Sequence, residues 1–115
     1  MTFRNIKITN FDDAIVPKPT IHGDRMYANC TENILIENCE VTFGVGMSMG
    51  TVVPHNGNNC IANVMVRNIK FNHPFKAIYL KTNPGNEGSG TIRNITYENI
   101  DIDTPIWWGI YIGPQ

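Results

Sequence analysis

Charge is scarce in this chain. Only 17% of its 115 residues are charged and the net charge is −1, so it presents no electrostatic footprint for nucleic acid or an acidic membrane. Long apolar runs are lacking as well, and nothing approaches the ~20 residues of a transmembrane helix. The opening stretch, MTFRNIKITN, has no apolar core of the kind a secretion signal carries. Cysteine is limited to Cys30, Cys39 and Cys60. They show no CxxC spacing and no nearby histidine pair, which argues against zinc or any other metal. The odd count leaves one thiol over even if two pair, and the simplest reading makes all three small buried hydrophobes. His22, His55 and His73 fall at unrelated positions and read as loop residues.

What the chain does have is a repeat. The pattern N-[IV]-x-Φ-x-N, with Φ apolar, occurs four times: NIKITN (5–10), NILIEN (33–38), NVMVRN (63–68) and NITYEN (94–99). The leading asparagines step by 28, 30 and 31 residues, a period that marks a solenoid, in which each unit buries its apolar face against its neighbours. Apolar residues alternate within each copy, which is a strand period. A second short apolar run follows each copy: DAIVPK (13–18), GMSMGT (46–51), AIYLKT (77–82) and GIYIGP (109–114). Two strands per repeat, with a third expected in the variable stretch, fit one turn of a parallel β-helix. The expectation is all-β, a solenoid of about four coils, and a single partial domain over residues 1–115. The second asparagine of each copy (Asn10, Asn38, Asn68, Asn99) is expected to point inward and form an amide ladder. Neither end shows a polar cap, so the chain is expected to be a fragment of a longer solenoid or to stack end to end.

Chemistry is expected on the outward face of the second strand column, where stacked side chains floor a groove that suits a long polymer. Aligning the runs brings Asp13, Val45, Lys76 and Trp108 to one position. Val16, Ser48, Tyr79 and Tyr111 share another, and Lys18, Gly50, Lys81 and Gly113 a third. Asp12 aligns with Gly44. Adjacent carboxylates can divide acid and base roles between them, as glycosidic hydrolysis requires; the bland alternative is a solvated Asp-Asp turn. Lysines on the same face suit a polyanionic sugar, and tyrosine or tryptophan rings offer platforms for pyranose rings. The string FGVGMSMG leads into a strand, which argues against nucleotide binding. Asn29-Cys30-Thr31 and Asn94-Ile95-Thr96 match the glycosylation sequon, a pattern common by chance, and NPGNEGSG (83–90) reads as a turn that could rim the groove.

These residues resemble glycoside hydrolase family 28, the polygalacturonase family, over almost the whole chain. The matching strings are FDDAIVPKP for G-D-D-x-I-x-x-K, FGVGMSMGT for G-H-G-x-S-x-G-S, AIYLKT for R-I-K-T, and NITYENIDIDTPIWWGIY for the late N-I-x-Y-x-N-I segment. The resemblance implies a right-handed parallel β-helix and inverting hydrolysis of α-1,4 galacturonide or related pectic linkages. It also implies no cofactor, an extracellular setting and a monomer at full length. It makes Asp12 the general acid, Asp13 one of the carboxylates that activate water, and Lys81 the lysine that holds the sugar carboxylate. The groove adds Lys18, Tyr79 and Tyr111 as substrate contacts. The pattern is incomplete. Phe11 replaces the glycine before the Asp pair, Val45 stands in place of the histidine and Tyr79 in place of the arginine. The family's upstream aspartate has no counterpart among the eleven residues before Asp12. This chain alone is therefore expected to be inactive or very weak. A rival expectation is a non-catalytic β-helix that binds acidic polysaccharide through Lys18, Lys81, Tyr79, Tyr111 and the Trp107–Trp108 pair; another is a purely structural solenoid piece.

Overall fold

The computed structural model describes residues 1–19, 30–52, 59–83 and 90–115. Its elements are β1 (Thr2–Arg4), β2 (Lys7–Thr9), β3 (Thr31–Thr42), β4 (Met47–Val52), β5 (Cys60–Asn72), β6 (Lys76–Thr82), β7 (Thr91–Asp103) and β8 (Trp108–Pro114). All pairings are parallel. One sheet runs β1-β3-β5-β7, with β2 continuing the first rung against β3, and the other runs β4-β6-β8. Apart from β2 and β3, the neighbouring strands are non-consecutive, because the chain crosses to the other sheet and back between them. That is a parallel β-helix of four coils, as the repeat predicts. Ile15 bridges Met47 in register and so begins the second column in the first coil. The expected third strand falls in stretches outside the described residues, as do His22, His55 and residues 84–89 of the glycine-rich turn.

The core lies between the sheets. Ile36, Val41, Met47, Met49, Ile61, Val66 and Phe71 are fully buried in it, and an apolar side chain of this size contributes ~1.5–3 kcal/mol when removed from water. Tyr97 ties the sheets together across it, donating its phenol hydrogen to the Met47 carbonyl at 2.7 Å. Burial pushes that phenol well above its ordinary pKa.

The asparagines behave differently from the expectation. Asn33, Asn38, Asn63, Asn68, Asn94 and Asn99 all take left-handed backbone, with φ between 52° and 58°, a conformation that asparagine tolerates better than most residues. Each such residue bends the strand and resets its inward parity. The buried residues of β5 run 61, 62, 64, 66, 69, 71, with the asparagines at 63 and 68 at the bends. The ladders consequently stand outside the core. Asn94 donates to Asn63 at 2.7 Å, Asn99 to Asn68 at 2.8 Å and Asn68 to Asn38 at 3.1 Å. The first coil corrects the alignment further. Arg4 pairs with Glu37 in register, so the residue beside Asn38 is Asn5, also left-handed at φ 59°. Asn10 belongs to neither ladder. A ladder of ion pairs runs beside them: Glu37 accepts from Arg67 at 2.7 Å and from Arg4 at 3.3 Å.

Cysteine is a second correction. Cys30 and Cys60 form a disulfide over a separation of 30 residues, with Cα atoms 4.5 Å apart, while Cys39 stays free and buried. The spacing equals one repeat, so the two residues stack on adjacent coils, within the span a disulfide bridges. Replacing both by serine is expected to lower unfolding free energy by about 3–4 kcal/mol, the loop-closure cost of a ring this size. Urea unfolding of the double variant against the oxidised protein measures it.

Candidate active site

The site is built on the outward face of the β4-β6-β8 sheet and on the turn that enters it. Asn10 makes that turn: its amide donates to the Asp13 carbonyl at 2.9 Å, and Val45 N–H donates to the Asp12 carbonyl at 3.0 Å. Gly44 lies beneath the turn at φ +70°, and a Cβ there would meet the Asn10 side-chain oxygen and the Asp12 carbonyl at 2.5 Å each. The corner thus requires glycine twice over, for its backbone angle and for its space. The two carboxylates then part company. Asp12 is exposed, and one of its oxygens accepts the Asp13 N–H at 2.7 Å. The Asp13 side chain is only 11% exposed. One of its oxygens accepts from the Ser48 hydroxyl at 2.5 Å, and the other is paired with the Lys81 ammonium.

Lys81 is the most constrained member. Its side chain is 6% exposed and directed at Asp13, with its ammonium 5.4 Å from the centre of the Tyr79 ring. The register explains the convergence. Ser48, Tyr79 and Tyr111 occupy one column, and Lys81 pairs with Gly113 in the next, as the aligned repeats predict. Tyr79 is buried, packs edge-on against Tyr111 at 5.3 Å, and donates to the Pro114 carbonyl at 3.4 Å. Burial, reinforced by Tyr111 and Asp13, raises its phenol above the ordinary range. Asp13, Lys81, Tyr79 and Tyr111 are therefore brought together, with Asp12 at the edge. Lys18 is not. Its side chain is exposed and makes none of these contacts, and its carbonyl accepts from the Thr31 hydroxyl at 2.7 Å.

One residue that the alignment placed in the groove without a role is Lys76. Its ammonium stands 3.8 Å from the Tyr79 ring centre, 4.4 Å from Tyr111 and 5.7 Å from Trp108. The signal was present, since Lys76 shares a register position with Trp108, but cation–ring contacts depend on side-chain reach that a sequence does not display. The rings continue outward: Trp108 lies 5.2 Å from Tyr111 and 6.0 Å from Trp107, which packs on Phe75 at 5.0 Å. Among the described residues, no cluster of histidine, cysteine and carboxylate side chains is placed to hold a metal ion.

Gly46 decides whether this face forms at all. At φ +83° it lies against β6 so closely that a Cβ would sit 2.0 Å from the Ala77 carbonyl oxygen. Gly46→Ala is expected to cost at least about 2 kcal/mol, from left-handed strain plus an overlap that backbone cannot relieve. Thermal unfolding of the variant checks this.

The family model for glycosyl hydrolases family 28 matches residues 1–114. This chain belongs to that family. Among its relatives, exopolygalacturonase B of Aspergillus niger is 34% identical over 113 residues, covering 92% of this chain and 23% of the relative. A polygalacturonase of Cochliobolus carbonum is 28% identical over 112 residues, covering 97% of this chain and 27% of the relative. A protein of Aspergillus oryzae named "Probable endo-xylogalacturonan hydrolase A" is 30% identical over 105 residues, 90% of this chain and 23% of that protein. The chain thus spans about a quarter of the length of the curated relatives it matches. No solved structure matches it significantly. Within this family 28 chain, the FDDA string meets AIYLKT through Asp13 and Lys81, and FGVGMSMGT through Asp13 and Ser48.

Proposed function

We propose that this chain carries the carboxylate face of a hydrolase that cleaves pectic chains at α-1,4-galacturonide or related linkages with inversion. The observation that carries the reading is the asymmetry of the Asp pair. Asp13 is clamped between Lys81 and Ser48, while Asp12, next to it in the turn, is exposed. Asp12 is assigned the proton donation to the departing glycosidic oxygen, and Asp13 a share in taking the proton of the attacking water. A carboxylate offers about four lone-pair sites, so Asp13 keeps capacity for a water while bonded to both partners. Inversion requires acid and base about 6.5–9.5 Å apart, with water between them. The family match, and relatives whose names are polygalacturonases, support the substrate class. The Cys30–Cys60 disulfide supports an extracellular setting, since such bonds persist where thiols are not kept reduced.

The row of rings beside Lys76 favours a second reading, a binder of acidic polysaccharide without turnover. Reducing-end release from polygalacturonate by the gene product, compared with its Asp12→Asn variant, separates the two. Release that the substitution removes supports the hydrolase. Binding with no release from either protein supports the binder.

A further inference from the structure

Two lysines reach the centre of this face, and they are engaged differently. Lys81 is buried and its ammonium is committed to Asp13. Lys76 is half-buried and lies over the Tyr79 and Tyr111 rings; no carboxylate among the described residues forms an ion pair with it. Burial and the neighbouring Lys81 charge push its ammonium below the usual lysine range, and Asp13 opposes the shift only in part. A cation in that position gains from an added anion. The rings around it have the character that a pyranose face prefers, apolar and broad.

We propose that Lys76 is the residue that receives the carboxylate of a uronate unit at this site, with Tyr111 and Trp108 as the platform for that unit's ring. Lys81 is the internal counter-ion that holds Asp13. The proposal rests on the pectic reading above and reassigns the charge recognition within it. The aromatic contacts matter to the geometry. They hold the ammonium against ring faces by cation–π attraction, apart from Asp13, which is bonded to Ser48 and Lys81. They also thin the water around it, which strengthens a charge-assisted hydrogen bond to an incoming carboxylate.

The test is binding of trigalacturonate and of its methyl ester to the gene product carrying Asp12→Asn, measured by calorimetry, so that turnover plays no part. Adding Lys76→Met is expected to weaken trigalacturonate at least about tenfold, the loss of one hydrogen bond between charged partners. The acid should then bind no better than the ester. Lys76→Arg should keep affinity within about threefold, because it preserves charge and ring stacking. A Lys76→Met variant that binds trigalacturonate as well as its parent overturns the proposal. So does a Lys76→Arg variant that loses as much as Lys76→Met, since the side chain then matters for packing and not for charge. Trigalacturonate that fails to bind before Lys76 is altered sinks the pectic reading itself, and the proposal with it.

Discussion

Lys81→Met is expected to destabilise the protein by about 3–5 kcal/mol, the cost of stranding one partner of a buried ion pair. Both side chains of the pair are nearly closed to solvent, at 6% for Lys81 and 11% for Asp13, so water cannot take over the role of the lost ammonium. Ser48 would remain as a donor to Asp13, and one neutral hydrogen bond does not balance a buried charge. Against the 5–15 kcal/mol typical of a whole domain, the loss is large. Asp13→Asn should cost a similar amount, because it strands the ammonium. The double variant Asp13→Asn/Lys81→Met should cost clearly less than the two single losses added together, since neither charge is then left alone. Urea unfolding of the four proteins forms a double-mutant cycle. A coupling of at least about 2 kcal/mol is expected; additive losses would show that the pair does not hold this face together.

The second large effect concerns rate and leaves stability alone. On the proposed reading, Asp12→Asn in the gene product is expected to lower hydrolysis of polygalacturonate by about 10²–10⁴-fold, the contribution of a positioned proton donor, or roughly 3–5 kcal/mol of barrier. Asparagine keeps the side-chain oxygen that accepts the Asp13 N–H, and the site is exposed, so unfolding should change by no more than about 0.5 kcal/mol. The split between the two readouts is the point. A variant that loses rate and stability together would mean that Asp12 holds the turn; a variant that loses neither would remove it from the chemistry.

Much of the fold was legible before any coordinates. The period of the repeats and the two apolar runs in each gave both sheets, and the aligned runs gave the Ser48–Tyr79–Tyr111 and Lys81–Gly113 columns that the register shows. The facing of the asparagine ladders is not legible in the same way. Strict alternation assumes extended backbone at every residue, and left-handed asparagines such as Asn38 and Asn68 break it. The same bends hid the first coil's register, since NIKITN repeats the pattern while its leading residue, Asn5, stacks on the trailing asparagine, Asn38, of the next copy. Corner residues Phe43, His73 and Thr104 share a positive φ but no chemistry, so composition could not mark them. The motif singles out Asp12, Asp13 and Lys81 as candidates. It does not show that Asp13 and Lys81 pair, because that contact has Lys81 reaching diagonally to Asp13 from a separation of 68 residues. Lys76 was hidden for a related reason: its partners are ring faces on its own strand and the next.

The most direct test of the central claim is the anomeric form of the first product that the gene product releases from an α-1,4-galacturonide oligomer, followed by proton NMR before mutarotation. Direct displacement by a water that Asp13 helps to activate, with Asp12 protonating the leaving oxygen, predicts the β-anomer. Release of the α-anomer would mean a covalent intermediate and a different use of these carboxylates, and would contradict the account.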